Sequence, residues 1–286
     1  MPSQNERASH REPLPAAHDL ISQRLVEARL RAMPLSQFPG ELPGTLREAY
    51  ALQSASIERW PDNVAGWKVG GIPPEHRDTL LADRLSGPIY ASTVVPIGIG
   101  ENRTMPIYEG GFAAVEAEFV FRLGTTILPN RHEYSDQALI NMTALHIGAE
   151  IASSPMADIN RIGPVCVVCD FGNNGGLLVG PAIENWHELP LSSMTAAVSV
   201  DGALVGTANA ADVEGGLLQP LKFLIALCAE RGLTLTEGTY VSCGALTGIH
   251  DVSVESSARV DFGQQGSFDV TFEARKPLLD SSRLDH

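Results

Sequence analysis

Apolar residues recur at two different periods along this chain, and the change from one to the other divides it. From Ala17 to Met33, Leu20, Leu25, Ala28 and Leu30 fall near the spacing of an amphipathic helix. Pro34 to Pro43 is a Pro/Gly-rich connection. A second helix is predicted from about Thr45 to Trp60, ended by Pro61, with Gln53 one turn after Ala49 and Tyr50. From Gly66 the period shortens. Strands are predicted at Trp67–Val69, Val94–Ile99, Val115–Leu123, Ala196–Val200, Tyr240–Ser242, Ala258–Phe262 and Phe268–Glu273, separated by Gly, Pro and Asn turns. Val200-Asp-Gly-Ala203 reads as a hairpin turn. Two longer helices are predicted within this region, from about Ser135 to Ile151 and from about Gly216 to Glu230, the second with Gly232 as its C-cap. The pattern describes an α+β chain: a tail over 1–17, a helical lobe over 18–90, a β-rich domain over 91–277 and a frayed end over 278–286.

Composition narrows the class. Hydrophobic residues make up 44% of the 286 positions and charged residues 19%, enough for a sizeable core. The net charge of -14 argues against a nucleic-acid binder, which needs a basic face for phosphates. It does not exclude an anionic substrate, because a bound cation inverts the local field. No run of about 18 apolar residues is present, so no membrane span is expected. The N-terminus is polar, has no apolar signal core and reads as a disordered tail. Cys166, Cys169, Cys228 and Cys243 lie in apolar stretches and read as buried reduced thiols, which suggest a cytoplasmic protein. Cys166-x-x-Cys169 has the spacing of a redox or zinc pair but no second pair to complete a zinc site.

The segment Ala114-Val-Glu-Ala-Glu-Phe-Val-Phe-Arg-Leu123 carries the clearest chemistry. Alternate residues of a strand share a face, so Glu116 and Glu118 point one way while Val115, Ala117, Phe119 and Phe121 point to the core. Neighbouring carboxylates repel, and a hard divalent cation resolves the conflict. An exposed edge strand with two solvated glutamates is the alternative. Glu150, in the apolar stretch Ala144-Leu-His-Ile-Gly-Ala-Glu-Ile151, supplies a third carboxylate. Three glutamates leave coordination positions open for a chelating substrate and water.

These residues belong to a longer ordered series. It comprises Glu48-Ala-Tyr-x-x-Gln53, Gly66-Trp-Lys-Val-Gly70, Val115-Glu-x-Glu118, Gly148-Ala-Glu150, Asp170-x4-Gly-Gly176 with Gly180-Pro181, Asp201-Gly with Val205-Gly206, Ser242-Cys-Gly-Ala-Leu-Thr-Gly248 and Val260-Asp-Phe-Gly263. In this series the chain resembles the 2-keto-4-pentenoate hydratase family of the fumarylacetoacetate hydrolase superfamily. The resemblance implies a mixed β-roll core with a small helical N-terminal lobe. It implies Mg²⁺ or Mn²⁺ on Glu116, Glu118 and Glu150, an active-site lysine at Lys68, and a homo-oligomer, often a pentamer or decamer.

It also implies hydration of a 2-hydroxy-2,4-dienoate to a 4-hydroxy-2-oxo acid in aromatic-compound catabolism. In that chemistry charge develops on the 2-oxygen, where a cation stabilises it. Lys68 is expected to shuttle a proton, with burial lowering its pKa; a lysine snorkelling to solvent is the plainer reading. Asp170, Asn173, Asn174 and Thr247 are candidate substrate-binding residues, with ordinary turn chemistry as the alternative. Among His76, His132, His146 and His250, only His146 is placed to support Glu150, four positions away.

One departure stands out. Related hydratases carry an acidic residue in a Pro-Asp segment about twenty positions after the lysine, where this chain reads Gly87-Pro-Ile-Tyr90. The rival readings are a 4-oxalocrotonate-type decarboxylase, with Arg84 or Arg161 for a second carboxylate, a fumarylacetoacetate-type C–C hydrolase, and a non-catalytic oligomeric scaffold.

Overall fold

The structure, a computed structural model, describes residues 15–131 and 133–278. The tails expected at 1–17 and 278–286 therefore lie outside the described residues except for 15–17 and 278, as does His132.

Two helices lead the chain, α1 (Ala16–Leu30) and α2 (Leu46–Arg59). Thr45 starts α2 with a reciprocal capping box: its hydroxyl accepts from Glu48 N at 3.2 Å, and the Glu48 carboxylate accepts from Thr45 N at 3.1 Å. The buried face of α2 is partly polar, because it pins a strand and a helix. Tyr50 Oη accepts from Ser86 N at 3.0 Å, and Gln53 Nε2 donates to Ser86 O and Val168 O at 3.0 and 2.9 Å.

Strands β1 (Val64–Gly71) and β2 (Arg84–Tyr90) flank α3 (Pro74–Leu80), and β3 (Val94–Pro96), β4 (Asn102–Ile107) and β5 (Phe112–Leu123) follow. Next come α4 (Asp136–Asn141), β6 (Thr143–Ser154), α5 (Ile159–Ile162), α6 (Pro164–Cys169) and β7 (Asn174–Ala182). The chain continues through β8 (Thr195–Val200), β9 (Ala203–Asn209), α7 (Gln219–Glu230), β10 (Tyr240–Ser242), β11 (His250–Asp251), β12 (Ser257–Asp261) and β13 (Ser267–Ala274). One sheet runs β2-β1-β10-β5-β6-β7-β3, with β11 also pairing β5; the other runs β4-β13-β12-β8-β9. Both mix parallel and antiparallel neighbours. The main core joins β5 and β6 residues Phe119, Phe121, Leu145 and Ile147 to Phe262 and Phe268 of the second sheet region and to Leu221 and Leu224 of α7. Helices α1, α2 and α6 form a separate cluster through Leu25, Leu52 and Cys166, which meets β2 at Leu85.

The α+β class and the order of the two leading helices match the pattern read from sequence. The Asp201-Gly202 turn joins β8 to β9 with φ of 48° and 80°, the left-handed pair that suits a tight hairpin. The helix expected over Ser135 to Ile151 is a correction. Ser135 caps only the short α4, and from Thr143 the chain is the extended β6. This strand lies between β5 and β7 and is buried on both faces, so it shows a continuous apolar run in place of alternation. The sheet also begins inside the segment 18–90, since β1 and β2 are two of its strands. Strands β2, β4, β7 and β9 were not foreseen; Pro88 and Pro106 and the Gly175-Gly176 pair masked three of them as turns.

All four cysteines are buried and free, and burial pushes each thiol above its ordinary range. Among the described residues, no helix is long and apolar enough to cross a membrane.

Candidate active site

Register brings the three glutamates together. In the β5–β6 ladder Glu116 stands directly opposite Glu150, and Glu118 opposite Gly148. Glu116 and Glu118 share one face of β5, and Glu150 projects from the same side of β6. At Gly148 a β-carbon would lie 2.6 Å from Leu178 O and 2.7 Å from a Val120 methyl, so no side chain intrudes beside Glu118. The opposite face of β5 carries Val115, Ala117, Phe119 and Phe121 in the main core, as its alternation predicts.

Each glutamate is at most 3% exposed. One carboxylate oxygen from each lies within 4.8 Å of the others, and among the described residues this is the one such group of potential ligands. Glu116 Oε1 and Glu118 Oε1 are buried and accept no hydrogen bond, and Glu150 Oε2 faces only the Lys68 ammonium. Two of the other oxygens are steadied. Glu118 Oε2 accepts from the Ser242 hydroxyl and from Gly244 N at 3.0 Å, and Glu150 Oε1 accepts from Asn174 Nδ2 at 2.9 Å.

Lys68 enters from β1, where it pairs with Ser242 of β10 in register. Its ammonium lies 3.3 Å from Glu150 Oε2 in an ion pair and donates to Asn173 Oδ1 at 3.3 Å. Burial by itself would depress the Lys68 pKa, but Glu150, Glu116 and Glu118 together outweigh it and hold the ammonium above the usual lysine range. The depressed lysine expected from sequence is thus reversed in the bare site. Burial and Glu150 push Glu116 up to about 7, against the pull of Lys68 and a hydrogen bond with Glu118, while burial, Glu150 and Glu116 push Glu118 well above the carboxylate range.

A divalent cation fits this donor set. Three buried carboxylates converge on one ammonium, an excess of acidic groups that a bound cation would balance. All donors are oxygens, which suits Mg²⁺, Mn²⁺ or Ca²⁺ over softer ions.

The candidate substrate residues divide. Asn174 and Asn173 contact Glu150 and Lys68 directly, and Asn173 Nδ2 also donates to the exposed Asn160 at 3.2 Å. Asp170 is a correction. Its carboxylate is 1% exposed and bound by the Arg29 guanidinium at 2.5 and 2.9 Å and by Ser154 Oγ at 2.6 Å, which leaves it no free face for a ligand. Thr247 Oγ1 lies 3.1 Å from His250 Nε2, in the loop that starts beside Glu118 at Gly244. His146 shares the Glu150 face of β6, but its Nδ1 meets Gly180 O at 2.9 Å. Arg161 pairs with Asp158 at the surface, and Arg84 donates to Glu214 O. Sequence reading missed Ser242 and Arg29. Ser242 opens the Ser242–Gly248 series, but its place beside Glu118 depends on β10 pairing with β1 and β5, which no local pattern marks.

Gly87 stands opposite Lys68 on β2. A β-carbon there would overlap the Phe171 carbonyl and lie 2.6 Å from Gly172 Cα, so this position cannot carry any acid.

No family model matches the chain, and no curated protein does. Solved structures do. The chain is similar to 4-oxalocrotonate decarboxylase from Pseudomonas putida G7, complexed with calcium and acetate, at TM-score 0.71 and 19% identity over 89% of this chain and 96% of that one. It is similar to 5-carboxymethyl-2-hydroxymuconate delta-isomerase from Mycobacterium smegmatis at TM-score 0.53 and 14% identity, covering 75% and 79% of the two chains. Fumarylpyruvate hydrolase from Pseudomonas aeruginosa, in complex with Mn²⁺ and pyruvate, matches at TM-score 0.51 and 14% identity, covering 73% and 89%. At these identities the likeness is one of fold.

Proposed function

We propose that this chain is a divalent-metal-dependent lyase acting on a small 2-oxo acid. The observation that carries the reading is the convergence of three buried carboxylates, two with an oxygen that accepts no hydrogen bond and the third paired with one buried ammonium. The fold neighbours, whose structures hold calcium with acetate or Mn²⁺ with pyruvate, support the same pairing of divalent ion and small carboxylate.

Glu116, Glu118 and Glu150 would hold Mg²⁺ or Mn²⁺. When bound, such an ion supplies positive charge at which a 2-oxo acid is gripped through its carboxylate and 2-oxygen. Asn174 fixes the rotamer of Glu150, and Ser242 with Gly244 N fixes that of Glu118, so both carboxylates are oriented before substrate arrives. Lys68, protonated and oriented by Asn173, is the proton donor within reach of the same space.

The resemblance points to hydration of a 2-hydroxy-2,4-dienoate, and one observation favours decarboxylation of a 4-oxalocrotonate-type substrate instead. Adding water requires a proton acceptor as well as a donor. Gly87 excludes an acid from the strand position facing Lys68, and the remaining carboxylates of the site are the proposed ligands. Loss of CO₂ requires less: the electron pair of the broken bond runs through the conjugated chain to the 2-oxygen, and one proton completes the dienol. A fumarylacetoacetate-type C–C hydrolase would call for a histidine to activate water, and His146 and His250 are engaged with Gly180 and Thr247.

The test is an assay of purified protein on 2-hydroxypenta-2,4-dienoate and on 4-oxalocrotonate, with Mg²⁺ or with EDTA, following dienol absorbance and CO₂. CO₂ release from 4-oxalocrotonate that stops in EDTA is expected. Dienol loss without CO₂ would establish the hydratase, and turnover indifferent to EDTA would refute both.

A further inference from the structure

The turn that joins α6 to β7 holds an unusual backbone. Phe171, Gly172 and Asn173 are all left-handed, with φ of 56°, 67° and 55°. Left-handed conformation is unfavourable for residues with a β-carbon, and two of the three have one. The turn is also pressed close: a β-carbon on Gly172 would lie 2.9 Å from both Gly87 Cα and Lys68 Cδ. Yet this turn delivers Asn173 to Lys68 and Asn174 to Glu150.

One side chain spans it. Arg29, from the last turn of α1, is 4% exposed. Its Nε donates to Asp170 Oδ1 at 2.5 Å. Its Nη2 donates to Asp170 Oδ2 at 2.9 Å, to Asp170 O at 3.0 Å and to Ser153 O at 3.1 Å, and its Nη1 donates to Asn174 O at 2.8 Å. The guanidinium lies 5.2 Å from the Phe171 ring centroid and 5.4 Å from that of Tyr108. Ser154 closes the other side of Asp170. Arg29 therefore grips the residue before the left-handed turn, the residue after it, and the end of the strand that carries Glu150.

We infer that Arg29 is a positioning residue for the cation site: through Asp170 and the Asn174 carbonyl it holds the left-handed turn, and the turn holds Lys68 and Glu150. This deepens the reading of the site given above and rests on it. Lysine cannot replace it. An ammonium keeps the charge and the stem between Tyr108 and Phe171, but it lacks the planar fork that serves both sides of the turn.

The experiment measures Mn²⁺ binding to EDTA-stripped protein by titration calorimetry, alongside thermal melting. Arg29→Lys is expected to raise the Mn²⁺ dissociation constant roughly 10- to 100-fold, the usual cost of losing a group that orients metal ligands. Leu224→Ala, a core truncation in α7, is the control: it lowers the melting temperature and leaves Mn²⁺ affinity unchanged. Arg29→Lys combined with Asn174→Ala is expected to lose less affinity than the sum of the two single losses, because Asn174 carries the part of the Arg29 effect that reaches Glu150. If Arg29→Lys does not fold, Ser154→Ala, which removes one hydrogen bond from Asp170, carries the same test with a smaller shift. Wild-type Mn²⁺ affinity in the folded Arg29 or Ser154 variant, additive losses in the double variant, or a matching loss of affinity in Leu224→Ala would each overturn the positioning role. A wild-type protein that binds no Mn²⁺ would overturn the cation site itself, a different failure seen before any variant is made.

Discussion

Stripping the cation from this protein should make its stability fall with rising pH. In the bare site Glu116 holds its proton up to about pH 7, because burial and Glu150 oppose its charge more than Lys68 favours it. In the unfolded chain the same group releases its proton near the ordinary carboxylate value of 4.5. Between these values the folded state binds more protons, so stability is full below pH 4.5 and is lost as pH climbs through 7. The difference corresponds to about 3 kcal/mol for Glu116 alone. Glu118, raised in the same direction, adds to it. For a chain of this size about 3 kcal/mol is a fall in melting temperature of roughly 6–12 °C. The assay is calorimetric melting in EDTA from pH 5 to 8, repeated with excess MnCl₂. The cation should restore most stability at pH 8 and little at pH 5, where it competes with protons. Glu116→Gln should make the EDTA curve shallower, leaving the share due to Glu118, and abolish the Mn²⁺ response. An EDTA curve flat from pH 5 to 8, or a Mn²⁺ stabilisation equal at both ends, would refute the account of three mutually repelling buried carboxylates.

Two further outcomes follow from the same geometry. Lys68→Met removes an ammonium 3.3 Å from Glu150, so it should abolish turnover while tightening Mn²⁺ binding, read by titration calorimetry; weaker binding would contradict the charge balance. Gly87→Ala forces a methyl group onto the Phe171 carbonyl and should destabilise the fold by about 1–3 kcal/mol in chemical denaturation, with loss of activity; a wild-type midpoint would show that the contact has room to give.

Much of the site was legible because it is local or periodic. The face shared by Glu116 and Glu118 follows from strand alternation, and the second helix follows from its start near Thr45 and its end at Pro61. Glu150 was found for a sound reason, a lone carboxylate in an apolar run, but on the wrong element. Ser135 opens a true helical turn, and nothing between Asn141 and Thr143 marks the change, since neither Gly nor Pro intervenes. Asp170 looked like a ligand-binding group because its partner, Arg29, lies 141 residues away and no periodicity links the two. The Lys68 pKa was misjudged for a related reason: burial is visible in an apolar context, whereas the three countercharges become neighbours only through the pairing of β1, β10, β5 and β6.

The pairing of Glu116 with Glu150 places like charges opposite each other at the centre of the largest sheet. Like-charged cross-strand partners disfavour the alignment that creates them. Without an ion, this chain's correct strand alignment is therefore the one its electrostatics resist, and a slipped alignment would relieve the strain. A cation held by these two carboxylates would reverse that preference, so a supply of the ion during folding would favour faithful zipping of the two strands.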